Sequence, residues 1–210
     1  YRFYDNNNNI LRPIGESLYK IKYFTYDKLK INLNTVSLIG ASDVLNVLSG
    51  KDGAAYIYAK QKGANDKEIE YLDNGLKNFA NVVFKQLGIS INEIKGSGSA
   101  GGVGAGIIAF FNGNIISGAD FIFNTTNFEE KVKLADIIVT GEGKLDDQTF
   151  SGKLVYKVVK LAEKYNKMVI VVCGIDEKSH SFEYEKSYIL NLFDEKVNVN
   201  IAKKETYNRL

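Results

Sequence analysis

The sequence predicts an α/β fold, on three observations. From about Leu134 strand-length apolar runs alternate with a helical pattern, the order that builds a parallel sheet. Residues 66–87 carry apolar side chains at three- and four-residue spacing. Glycine-punctuated turns stand at the ends of several apolar runs, where open α/β folds bind ligands.

The chain starts in a strand pattern, RFY, and Asp5 to Asn9 form a turn signal before the next apolar run. A start at Tyr1 inside a strand is expected of a piece of a longer protein. Ile10 to Tyr23 is mixed, and the run Val36 to Ser42 predicts a short buried strand that delivers Asp43 and Asn46 into the loop Ser49 to Gly53. Ala54 to Lys60 reads as helix. The stripe Ile69, Leu72, Leu76, Phe79, Val82, Val83 and Phe84 predicts an amphipathic helix over 66–87 that ends near Gly88. Small residues after Gly96 run into an apolar helix, Ile107 to Phe111.

Farther on, Ala135 to Thr140 predicts a strand, Gly152 to Tyr165 a helix, Met168 to Cys173 and Tyr188 to Phe193 further strands, and the chain closes on a helical stretch. Leu154, Val155, Val158, Val159, Leu161 and Ala162 form the apolar stripe of that helix, away from four lysines. A right-handed parallel crossover follows, so the loops Gly141 to Gln148 and Gly174 to His180 are expected around one crevice.

Composition narrows the function. Twenty-seven Lys and Arg against 25 Asp and Glu leave a formal charge of +2, without the concentrated positive charge of a nucleic-acid binder, and the aromatic residues are not grouped with basic ones. A small-molecule partner is expected, with no nucleic acid and no membrane, since no run approaches the length of a membrane span. The single cysteine, Cys173, excludes an internal disulfide and reads as a buried thiol of a cytoplasmic protein. His180, the only histidine, reads as a solvated loop residue.

Chemistry is sought first in TGEGKLDDQT, residues 140–149. Glu142, Lys144, Asp146 and Asp147 at a sheet edge can hold a divalent metal or a polyphosphate; equally, the aspartates can complement a helix dipole, with Thr149 or Ser151 as cap. The second motif is GSGSAGGVGAG, residues 96–106. It contains G-x-G-x-x-G, with Asp120 near the offset of a dinucleotide fingerprint's acidic residue, which makes a dinucleotide-binding oxidoreductase a minor alternative. The fingerprint needs a strand directly before the first glycine, and Asn92 to Lys95 does not read as one. Anion contact by glycine amides and tight helix packing both remain open for this segment. No Walker motif and no protein-kinase signature set occurs.

Three motifs in order, GKDGAAYIYAKQKGA, GSGSAGGVGAGIIAFF and LADIIVTGEGKLDDQTFSGK, resemble the bacterial type I glycerate kinase family over most of the chain, more loosely after Gly174. The resemblance implies two α/β domains, a Rossmann-like (flavodoxin-like) domain built from both ends of a longer chain and an inserted mixed α/β domain. Residues 1–133 would be most of the inserted domain and 134–210 the C-terminal part of the Rossmann-like one. It also implies ATP-dependent, Mg²⁺-assisted phosphorylation of D-glycerate to 2-phosphoglycerate.

By that resemblance the catalytic carboxylates are Asp43, Glu142 and Asp146, with Glu142 and Asp146 also candidates for magnesium. Ser97, Gly98, Ser99, Gly101, Gly102 and Gly104 would line an anion site. Lys62, Gly141, Gly143, Lys144, Gln148 and Thr149 would join in substrate or phosphate binding. The family reads D-V-D-N-P where this chain has Leu45 and Val47, which removes one acidic residue. Members are longer at the N-terminus, so the 210 residues alone are expected to be weak or inactive. A non-catalytic homologue needing a partner chain is the alternative, and apolar surface left open by the absent portion would favour self-association.

Overall fold

The computed structural model describes residues 1–26, 32, 33, 35–150, 153–176, 180–193 and 204–206, without the side chains of Asp147 and Gln148. Contacts divide the chain into two units, Tyr1–Gly118 and Ala119–Leu210.

In unit 1, β1 (Arg2–Tyr4) pairs antiparallel with β2 (Tyr23–Thr25), and a 3₁₀ turn, Gly15–Lys20, lies between them in the chain. The strand expected over Val36 to Ser42 shortens to β3 (Ile39–Ala41), which pairs in parallel with β4 (Asn114–Ile116). Three helices fill the connection: α1 (Ala54–Tyr58), α2 (Asp66–Leu87) and α3 (Val103–Phe111).

Helix α2 begins and ends as its sequence dictates. Asn65 accepts from the Glu68 amide at 3.0 Å while Glu68 accepts from the Asn65 amide at 2.8 Å, a reciprocal capping box, and Gly88 stops the helix at φ 72°. Ile69, Leu76, Phe79, Ala80 and Val83 enter a core with Phe24, Leu48, Ile91 and Ala105. Two residues break the expected stripe: Phe84 is 58% exposed, and Asp73, a charged residue one turn after Ile69 on the apolar face, is buried.

Unit 2 holds α4 (Gly118–Thr125), α5 (Phe128–Leu134), β5 (Ile137–Leu145), α6 (Asp147–Phe150), α7 (Leu154–Lys164), β6 (Met168–Asp176) and β7 (Ser187–Asn191). The units meet in sequence at Gly118, so residues 119–133, grouped by sequence pattern with the earlier part, make their contacts in unit 2. The three strands are parallel in the order β5-β6-β7, with α7 as the crossover between the first two. Val155, Val158, Val159 and Ala162 of α7 pack on Ile138, Val169, Val171 and Cys173, and Val132 of α5 joins them. Ile137, Val139, Tyr188 and Leu190 are each half or more exposed.

Two sequence expectations need correcting. Strands β5 and β6 do not stop at Thr140 and Cys173; they run on to Leu145 and Asp176, with Glu142 beside Cys173 and Leu145 beside Asp176. The glycines of TGEG and CGI read as turn punctuation, yet they sit in paired strands, and at Gly141 and Gly174 the neighbouring backbone comes too close for a side chain. A Cβ on Gly141 would lie 2.3 Å from the Val172 carbonyl oxygen, and one on Gly174 would lie 2.5 Å from that of Gly143. The closing helical stretch falls largely outside the described residues; 204–206 are helical.

Candidate functional site

The C-terminal edge of the β5-β6-β7 sheet carries Glu142, Asp146 and Asp176. Glu142, three residues before the end of β5, is half-buried, and its Oε1 is shielded from solvent with no hydrogen-bond partner among the described residues. A buried carboxylate oxygen left in that condition is costly, and it can accept from a cation, a proton or a ligand donor. Asp146 follows β5 and starts α6. Its carboxylate accepts from the Thr149 amide at 3.2 Å and Thr149 Oγ1 accepts from the Asp146 amide at 3.2 Å, a reciprocal cap around the buried Thr149. The helix-capping alternative therefore describes one oxygen of Asp146. Gly141, Gly143 and Lys144 lie in β5 itself, and the side chain of Gln148 is outside the described residues.

Residues not singled out from sequence complete this edge. Asp176, at the end of β6, is buried and accepts from the His180 amide at 2.7 Å, and its other oxygen lies 2.5 Å from His180 Nδ1. The His180 ring stacks on Phe150 at 4.9 Å, so the histidine expected in a solvated loop is instead largely buried. Asp176 was legible by the rule that exposed Glu142, a charged residue closing an apolar strand, but only if the strand is carried past Gly174. Burial, with the Asp176 and Glu142 carboxylates nearby, pushes the Cys173 thiol up to about 11 while its Sγ donates to Asn191 Oδ1 at 2.7 Å. The native chain should thus resist thiol reagents at neutral pH and react on unfolding. Because the folded value exceeds the ordinary 9.0, the neutral thiol's stabilisation is complete below about pH 9 and is lost as pH rises towards 11. Alkylation rates and denaturation midpoints across that window test both statements.

In unit 1 the glycine-rich segment is pressed onto the loop that follows β3. A Cβ on Gly98 would lie 2.1 Å from the Val47 carbonyl oxygen, and one on Gly104 the same distance from that of Gly96. Gly98 donates its amide to Asn46 O at 3.0 Å, and Ser99 Oγ lies 2.8 Å from Ser42 Oγ. Ser97, Gly98, Ser99 and Gly104 are buried; Ser97 Oγ has no hydrogen-bond partner among the described residues. Gly101 and Gly102, at φ 81° and 110°, turn the chain into α3, and Gly101 is exposed. Tight packing thus explains Gly98 and Gly104, while Gly101 is exposed, with nothing within 4 Å of its Cβ position. Residues 92–98 are turns and bends with no strand before Gly96, so the dinucleotide fingerprint lacks its context.

Lys62 ends a 3₁₀ turn, Lys60–Lys62, and is exposed. It shares a cavity of about 170 Å³ with Gly101, Tyr58, Leu72 and Leu76, so the fold brings this lysine to the glycine segment. Asp43 is exposed after β3, next to Gly118. The structure therefore forms two groups: Asp43, Lys62 and the glycines in unit 1, and Glu142, Asp146 and Thr149 in unit 2. Among the described residues no three His, Cys, Asp or Glu side chains are grouped to hold a metal ion, and no helix is long and apolar enough to cross a membrane.

Comparison with known proteins agrees with the motifs. The model of the glycerate kinase family matches residues 1–210. The glycerate kinase of Halalkalibacterium halodurans is 42% identical over 77% of this chain and 43% of its own length. The glycerate 2-kinase of Escherichia coli is 35% identical over 81% of this chain and 45% of its own. A crystal structure of a Salmonella typhimurium LT2 protein assigned as glycerate kinase 2 superposes with TM-score 0.74 and 29% identity, covering 99% of this chain and 55% of that one. The chain spans about half the length of the curated relatives it matches. A parallel sheet edge carrying Glu142, a glycine segment folded onto the Asp43 loop, and a family model matched along all 210 residues lead to one assignment: this chain belongs to the glycerate kinase family.

Proposed function

We propose that this chain is part of an ATP-dependent glycerate kinase that forms 2-phosphoglycerate from D-glycerate. The observation that carries the reading is Glu142: the shielded oxygen lies on TGEGKLDD, one of the three motifs that resemble the family. In the transfer, the acceptor hydroxyl oxygen bonds to the γ-phosphorus of ATP, the bond to the ADP oxygen breaks, and the hydroxyl proton passes to a carboxylate. Of Asp43, Glu142 and Asp146, Glu142 has an oxygen uncommitted to the protein, while Asp146 already accepts from Thr149. Lys62 suits the substrate carboxylate or a phosphate, and it shares one cavity with Gly101.

Magnesium fits this donor set. Hard cations take carboxylate oxygens, and Mg²⁺ is commonly held by one or two carboxylates with phosphate oxygens and water, so Glu142 with Asp146 would suffice. Bound there, the ion would neutralise developing charge on the phosphates. A single buried thiol agrees with a reducing, cytoplasmic setting.

The test is a coupled ADP-release assay with D-glycerate, ATP and magnesium, run on the 210 residues and on a version extended upstream of Tyr1 to a start codon. Turnover by the extended form identifies the kinase; turnover by neither favours a non-catalytic homologue that needs a partner chain. Leu45, 62% exposed where the family has an acidic residue, supports that second reading. The exposed Ile137, Val139, Tyr188 and Leu190 support self-association of the 210 residues. Sedimentation should show concentration-dependent dimers or larger species, and a clean monomer at high concentration would remove this part of the proposal.

A further inference from the structure

Asp73 is a carboxylate 2% exposed in the middle of α2, on a helix whose other buried side chains are almost all apolar. Its Oδ1 accepts from the Gly50 amide at 2.7 Å, and its Oδ2 pairs with Lys77 Nζ at 2.7 Å, one turn on. A carboxyl group buried in a helix interior carries a desolvation cost that an apolar residue there would avoid. Its partner is informative. Gly50 is at φ 96° in the tight turn 49–53, and that turn sits at the hub of a network reaching both functional segments of unit 1.

The connections are contiguous. Ser49 Oγ donates to Asn92 Oδ1 at 2.5 Å, and Leu48 N donates to Asn92 O at 3.0 Å, tying the turn to the chain just before the glycine segment. Asn46 donates to Asp52 O at 3.2 Å and accepts the Tyr58 hydroxyl at 2.7 Å, while its backbone oxygen receives the Gly98 amide at 3.0 Å. Ser42, the residue before Asp43, meets Ser99 at 2.8 Å. Every tie ends on the stretch from Ser42 to Gly53, and the α2 carboxylate holds the tip of that stretch.

We propose that Asp73 is a positioning residue: through the Gly50 amide it sets the register of the Asp43–Gly53 loop against the glycine-rich segment, and so the placement of Asp43 and Gly101 for substrate. The kinetic part of this inference rests on the kinase reading above; the structural part does not. Lys77, half exposed, only balances the charge.

Three variants of the extended, active polypeptide test it: Asp73→Ala, which leaves the Gly50 amide without an acceptor; Asp73→Asn, which keeps an oxygen there; and Lys77→Ala. Hydrogen exchange, which needs no activity, should rise in Asp73→Ala at residues 46–53 and 96–101 and stay unchanged at 168–176. In the coupled assay kcat/KM for glycerate should fall at least about tenfold in Asp73→Ala, recover most of that loss in Asp73→Asn, and change less than about twofold in Lys77→Ala. Wild-type exchange at 96–101 in Asp73→Ala overturns the inference. So does a loss confined to thermal stability with kcat/KM kept. If Asp73→Ala does not fold, Asp73→Asn decides: a tenfold loss despite wild-type exchange at the loop overturns it. Absence of turnover in the parent protein, with the exchange pattern as expected, refutes the kinase reading alone.

Discussion

Replacing Glu142 by Gln in the extended polypeptide should lower kcat for glycerate phosphorylation by roughly a hundredfold to ten-thousandfold, the range in which a positioned acid or base contributes. The substitution keeps shape and removes the charge, and no ion pair holds Glu142 among the described residues. Folding should therefore be unaffected or slightly favoured, since a half-buried carboxylate with a shielded, unpaired oxygen no longer has to be desolvated as an anion. Asp146→Asn is the informative companion. Asparagine caps as well as aspartate, so the bond to the Thr149 amide survives and any loss of rate reports on charge at the reacting centre rather than on α6. A Glu142→Gln protein that turns over within threefold of wild type would remove Glu142 from the chemistry.

Gly98→Ala should destabilise unit 1 by about 3 kcal/mol, at the upper end of the cost of overpacking, and lower its unfolding midpoint by on the order of 10 °C. The new methyl would lie 2.1 Å from Val47 O, 2.9 Å from Val47 C and 3.1 Å from Asn46 O, all backbone atoms that cannot rotate away. Relief requires parting the glycine segment from the Asn46–Leu48 loop and breaks the Gly98 N–H bond to Asn46. Gly101→Ala is the control: its Cβ meets nothing within 4 Å, so its cost is the left-handed conformation alone, about 1–2 kcal/mol. Equal midpoints for the two variants would show that the close approach at Gly98 is not tight in solution. Thermal and denaturant unfolding of both proteins provide the comparison.

The local rules were sufficient where structure is local. Helix α2 was legible to the residue, because Asn65, Glu68 and Gly88 are capping signals and the stripe between them is periodic. The parallel β5-α7-β6 unit was legible from two apolar runs and a helical pattern between them, since handedness leaves one arrangement. The strand ends were not, because Gly141, Gly143 and Gly174 signal a turn to any local reading, and only the pairing of β5 with β6 makes them strand residues, with close backbone approach at Gly141 and Gly174. Asp43 and Glu142 were found as charged residues at the ends of apolar runs, and Lys62 came from the family resemblance alone. The partners that define their surroundings, Ser42 to Ser99, Asp73 to Gly50 and Asp176 to His180, carry no sequence signal as pairs.

The sequence by itself determined the α/β class, the long helix, the parallel crossover and the motifs that place the chain in its family. The first three follow from periodicity, capping and handedness, which act over a few residues or one crossover, and the motifs place the chain by resemblance. Only the tertiary structure decided that Gly98 and Gly104 serve close packing while Gly101 faces a cavity with Lys62, and that Glu142 keeps a shielded oxygen beside Cys173. Glycine and glutamate have one identity each but several uses. Which use is realised depends on the atoms that long-range contacts bring within 3 Å, and those contacts join residues tens of positions apart.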